Sequence, residues 1–140
     1  MISEVDLNNI IQKYLGTKYL FQGNSLDTGV DCANLCTMVS KDLGVTIPNI
    51  NHIGFSIDTY SSLFKQRDNI KLWEVSEPKL GTLCVFRING EVKHVGLMLN
   101  EYEFIHIMEG SRVTVDTLDS IQWKRRLVNC YKYVGNEETI

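Results

Sequence analysis

No apolar run in this 140-residue chain approaches the ~18 residues of a membrane span. The first residues, Met1-Ile2-Ser3-Glu4-Val5-Asp6, lack a basic segment followed by an apolar stretch, so no secretory signal is read there. Excess positive charge is missing too. The formal net charge is −3, which argues against a nucleic-acid binder that relies on bulk basicity. The four cysteines, Cys32, Cys36, Cys84 and Cys130, contain no Cys-x-x-Cys, so zinc-ribbon and dithiol redox readings lack their motif. With no export signal in view, these cysteines read as thiols rather than as a disulfide framework. Repeats, low-complexity tracts and linkers are absent as well. With 44% hydrophobic and 22% charged residues, the composition is that of a globular chain. Its length suits one domain over residues 1–140.

The pattern that is present changes character half-way. Leu7, Ile10, Ile11, Tyr14 and Leu15 have helical spacing, and Gly16 is a natural stop. Residues 22–29 are rich in Gly, Asn, Ser and Asp and read as loop. Asp31 is a candidate N-cap for a second helix that runs to about Leu43, with Gly44 and Pro48 beyond it. Ser56 is a candidate cap for a third helix, with Ile57, Tyr60, Leu63 and Phe64 on one face. After Pro78, strands are predicted over 82–87, 93–99, 103–108, 113–117 and 127–134, with Asn89-Gly90 as a hairpin turn. Helices first and an antiparallel sheet second give an α+β domain.

Three residues stand out as candidates for chemistry: Cys32, His94 and His106. Cys32 falls in the first turn of the second helix, where unpaired N–H groups and the helix dipole favour a thiolate. His94 and His106 fall on neighbouring strands. Along both strands the large aliphatics (Val95, Leu97, Leu99; Ile105, Ile107) share one face and the histidines take the other. With the connecting turn centred on Asn100, an odd loop such as three residues pairs the histidines. A two-residue Asn100-Glu101 turn puts them on opposite faces.

The motifs resemble those of the NlpC-type cell-wall cysteine peptidases. Tyr19-Leu20-Phe21-Gln22-Gly23 and Gly29-Val30-Asp31-Cys32-Ala33-Asn34-Leu35 are similar to that family's tyrosine segment and its Asp-Cys-Ser-Gly-Leu nucleophile box. Leu43-Gly44-Val45-Thr46-Ile47-Pro48 resembles its Gly-Ile-x-Leu-Pro. Pro78-Lys79-Leu80-Gly81-Thr82-Leu83-Cys84-Val85-Phe86 resembles its Pro-Gly-Asp-Leu-Val-Phe-Phe strand, and His94-Val95-Gly96-Leu97-Met98-Leu99 its His-Val-Gly-Ile-Tyr. Ala33 and Asn34 stand where the family has Ser and Gly, and Leu80-Gly81-Thr82 alters the Pro-Gly-Asp turn.

The resemblance implies a papain-like fold, the nucleophile helix packed on a C-terminal antiparallel sheet. It implies Cys32 as nucleophile, His94 as general base and acid, and His106 as the residue orienting His94. It also implies Tyr19, Asp31 and the backbone around Ala33 at the oxyanion and substrate-binding positions. The implied substrate is a peptidoglycan stem peptide, cut at a D-γ-glutamyl to diamino-acid bond. No cofactor, metal, nucleic acid or membrane is implied. Pairing with an imidazolium at a helix N-terminus is expected to lower the thiol pKa to about 4–7.

Two other readings stand beside this one. The first is a zinc site built from Cys32, Cys36, His94 and His106. The second is an assembly or interaction module on the same scaffold, since relatives occur in phage tails and as delivered toxins. With no signal read, the chain is expected to be made in the cytoplasm and to be virion-associated or delivered to the wall with phage-tail, secretion or immunity partners. Lys124-Arg125-Arg126 reads as a solvated strand end rather than a contact to an acidic polymer. Trp73 and Trp123 read as core or rim aromatics.

Overall fold

The structure, a computed structural model, describes residues 2–45, 47 and 73–135. The helix expected from Ser56 lies outside the described residues.

Helix α1 (Glu4–Tyr14) starts at Ser3, whose hydroxyl accepts from the Asp6 N–H, and ends before Gly16 with φ +84°. Residues 22–29, read as loop, together with Val30 contain a small antiparallel pair, β1 (Asn24–Ser25) and β2 (Gly29–Val30). Helix α2 (Cys32–Asp42) then runs from the Asp31 cap, as its sequence predicts. Asp42 accepts hydrogen bonds from Lys13 and from the Tyr14 hydroxyl, which ties the end of α2 to the end of α1.

The second half is β3 (Trp73–Ser76), β4 (Leu83–Ile88), β5 (Glu91–Met98), β6 (Glu103–His106), β7 (Thr114–Thr117), helix α3 (Ile121–Arg126) and β8 (Leu127–Tyr133). The strands form one antiparallel sheet in the order β3-β8-β4-β5-β6-β7. The Asn89-Gly90 turn joins β4 to β5, and both residues have positive φ, +52° and +83°. Strand β3 is an addition to the elements read from sequence. So is α3, which takes up the Lys124-Arg125-Arg126 run. The run closes a capped helix, where cations suit the carbonyl end, instead of ending a strand.

Both faces of the sheet are buried. On one, α2 brings Leu35, Cys36 and Val39 against Val95, Leu97 and Ile105. This is the aliphatic face expected from alternation. On the other, Cys84, Phe86, Met98 and Phe104 pack around Trp123 of α3. The histidine face is therefore a second core rather than a wet surface. Trp73 is also buried, at 2% exposure. Among the described residues, no helix is long and apolar enough to cross a membrane.

Candidate active site

The loop before α2 sets Cys32. Asp31 is buried, and both carboxylate oxygens accept backbone N–H bonds, from Asn34 at 2.8 Å and from Gln22 at 3.1 Å. One side chain thereby caps α2 and holds the Gln22 turn, whose φ is +58°. Burial pushes the Asp31 carboxyl up, while these backbone donors pull it down. Asn34, in the place of a family glycine, turns its amide to the loop and donates to the Gly23 carbonyl at 2.9 Å. It adds a clamp between loop and helix. Cys32 is then the first residue of α2 and 7% exposed.

The histidines come from β5 and β6. The observed register, Leu97↔Ile105 and Met98↔Phe104, puts a three-residue loop at 100–102. The turn thus centres on Glu101, not Asn100. An odd loop keeps both histidines on one face but sets them diagonally instead of directly opposite. His94 Nε2 and His106 Nδ1 are 2.8 Å apart. Gly96 makes this possible. A Cβ there would lie 2.8 Å from a Phe104 ring carbon and 3.3 Å from the His106 Cβ. Trp123 packs against both rings, with centroids 5.7 Å from His94 and 4.7 Å from His106.

Asp116 on β7 completes a line that the sequence reading did not contain. Its Oδ2 is 2.7 Å from His106 Nε2. An ionised carboxylate only accepts, so His106 carries its proton on Nε2 and offers a lone pair at Nδ1. His94 must then donate from Nε2, which leaves its Nδ1 as the basic nitrogen.

Burial dominates the electrostatics. It pushes the Cys32 thiol up to about 12, with the Asp31 charge adding to the rise. The N–H groups of Val95, Ala33 and Cys32 work the other way and are outweighed. His94 is pushed down to about 3, by burial first and then by the charges of His106 and Arg126. Burial also lowers His106, against the pull of Asp116. For the thiol taken alone, burial works against the lowered pKa expected from the helix end, and removal from water disfavours the charged forms of both groups.

A stability prediction follows. Between pH 6.5 and about 3 the unfolded chain protonates at His94 while the folded protein does not. The contribution is fully present above pH 6.5 and is lost as pH falls toward 3. The expected slope reaches ~1.4 kcal/mol per pH unit. Urea unfolding at stepped pH measures it. His94→Phe, an aromatic between Phe86 and Trp123, should flatten this acid limb; an equal slope in wild type and variant rejects the assignment.

Cys32 and His94 line one cleft, about 450 Å³ in volume. Tyr19, Phe21, Ile88, Asn89, Lys93, Ile107, Met108 and Glu109 complete its lining. The structure thus brings Cys32, His94 and Tyr19 to the cleft and sets His106 behind His94. Asp31 stands beneath as a cap. Ala33 is buried, with its N–H near the Cys32 sulfur. The zinc arrangement does not form. Cys36 is buried in the aliphatic core, both ring nitrogens of His106 are engaged, and no metal-holding group of side chains occurs among the described residues.

A sequence model described as the NlpC/P60 family matches residues 16–132. The chain belongs to the NlpC/P60 family. The Haemophilus influenzae "Probable endopeptidase NlpC homolog" is 29% identical over 126 residues, 89% of this chain and 60% of that protein. The Escherichia coli (strain K12) "Murein DD-endopeptidase MepS/Murein LD-carboxypeptidase" is 23% identical, over 90% of this chain and 63% of that protein. The chain therefore spans about 60% of the length of these curated relatives. The solved NlpC/P60 domain of the peptidoglycan hydrolase SagA superposes with a TM-score of 0.58 at 20% identity, covering 94% of this chain and 99% of that one. The fold is thus the papain-like one that the motifs implied.

Proposed function

We propose that this NlpC/P60 chain is a cysteine endopeptidase acting on peptidoglycan stem peptides at a D-γ-glutamyl to diamino-acid bond. One observation carries the reading: a thiol at a helix start shares a cleft with a histidine whose far nitrogen is held by a second histidine. The names of the similar proteins, a murein endopeptidase and a peptidoglycan hydrolase, support the substrate class.

His94 Nδ1 takes the proton from the Cys32 thiol as sulfur attacks the scissile carbonyl carbon and a C–S bond forms. Negative charge on the carbonyl oxygen meets the N–H groups at the start of α2 and the Tyr19 hydroxyl. Collapse breaks the C–N bond, and the departing amine takes the proton from His94. Water then gives a proton to His94 and attacks the thioester. The C–S bond breaks, and the sulfur recovers its proton. His106 keeps His94 in the productive tautomer throughout. Asp31, 1% exposed and with both carboxylate oxygens on backbone N–H groups, serves this site by holding the loop and the start of α2.

Digestion of defined muropeptides by the purified protein, read by mass spectrometry, tests the proposal. The expected product pair is a free γ-carboxyl on the glutamyl fragment and a free amine on the diamino acid. Intact muropeptide, or cleavage at another bond only, rejects it.

A further inference from the structure

The strand that supplies His94 is irregular at the residue before it. Strand β5 pairs with β4 as Phe86↔His94 and then as Arg87↔Val92. Lys93 is the extra, unpaired residue of a β-bulge. The consequence is visible in side-chain parity. In a regular strand Val92 would share the face of His94. Instead it packs in the aliphatic core with Val95 and Leu97. The bulge resets the alternation between 92 and 95, and consecutive residues Lys93 and His94 both line the cleft. Bulges beside active sites re-aim side chains in this way.

Burial disfavours the charged forms of Cys32 and His94. Among the cleft's lining residues the acidic and basic side chains are Lys93, next to the β4–β5 hairpin turn, and Glu109. Among the described residues, Lys93 has one ion-pair neighbour, Glu91, at 3.8 Å, with the two side chains 38% and 69% exposed. A pair that long and that wet contributes little, so the ammonium is available to a ligand.

We propose that Lys93 is a carboxylate-binding subsite, and that its ligand is a free carboxylate on the acyl side of the scissile bond. This rests on the peptidase reading above and narrows its substrate. A γ-linked glutamyl residue keeps its α-carboxylate, a short aliphatic spacer away from the carbonyl under attack. An ordinary α-linked peptide has no such group there. An ammonium beside the catalytic histidine selects γ-glutamyl donors over α-peptides. It also selects the free acid over its amide, as a compact point charge does for an anion.

The experiment uses two synthetic γ-D-glutamyl-diamino-acid peptides that differ only in the α-carboxylate, free in one and amidated in the other. Wild type should cleave the free acid with kcat/KM about tenfold above the amide, mainly through KM. Lys93→Gln should lose about that factor on the free acid and nothing on the amide. Lys93→Glu should prefer the amide. Lys93 is half-exposed, so both variants should unfold at the wild-type temperature. If wild type cleaves both peptides and Lys93→Gln changes neither, or both equally, the subsite is wrong and the peptidase reading survives. If wild type cleaves neither, both are wrong.

Discussion

Cys32→Ala is expected to lower turnover of stem peptides by at least ~10³ while the protein stays folded, because loss of the nucleophile in a triad costs that much or more. The two halves of this expectation have separate causes. Alanine keeps the Cβ and is the best helix former, so the first turn of α2 remains. The Asp31 cap and the Asn34 clamp do not involve the sulfur. A neutral thiol in apolar surroundings contributes to stability only as a small hydrophobe. The chemistry has no substitute, because the other described cysteines are buried away from the cleft lining. Cys32→Ser separates nucleophilicity from shape. A hydroxyl fits the space, but it holds its proton more tightly than a thiol that burial has already raised to about 12. It should be nearly as inactive as alanine. Mass spectrometry of digests gives the rates, and thermal unfolding checks the fold. Undiminished cleavage by Cys32→Ala removes the assignment of nucleophile.

The legibility of the site in the sequence follows the range of the interactions. Asp31 as cap and Cys32 as first helical residue are local facts, settled within four positions of chain. The strand faces are nearly local, since alternation alone separates Val95, Leu97 and Leu99 from His94 and Gly96. The register between β5 and β6 is less so. Its parity was open until the loop at 100–102 fixed it, and the centre lies one residue beyond the expected one. Asp116 is not local at all. It reaches His106 only because β7 pairs with β6 in the register Phe104↔Asp116 and His106↔Thr114. No spacing rule joins a β7 aspartate to a β6 histidine.

The same distinction explains the thiol. The helix end is written in the sequence and favours the anion. The desolvation that opposes it depends on β5 and β6 packing against α2. Strand β3 was missed because four residues before Pro78 give too short an alternation to read. Helix α3 was missed because six residues give less than two turns of periodicity.

The relay behind His94 should carry the second large effect: His106→Ala is expected to lower kcat by ~10²–10³ with little change in KM. His106 lies behind His94 at 1% exposure and is not part of the cleft lining, so substrate affinity should not register its loss. What is lost is the acceptor for His94 Nε2–H. Without it the imidazole is free to move its proton to Nδ1, which then has no lone pair to accept a proton. The imidazolium formed during attack also loses its path to the Asp116 charge. His106→Gln restores an acceptor oxygen and should recover at least tenfold over alanine.

Asp116 tests the same line from its far end. Its side chain is 41% exposed, so water can replace it at His106 Nε2, and Asp116→Ala should cost only about tenfold in kcat. The graded order (His106→Ala far below His106→Gln, Asp116→Ala mild) belongs to a tautomer relay. A merely structural role for His106 would instead track stability, with the glutamine variant no better than alanine once both are corrected for the folded fraction. Turnover of folded His106→Ala within a few-fold of wild type sinks the relay outright. It would leave His94 to find its tautomer unaided in a pocket whose other walls are the rings of Phe86 and Trp123.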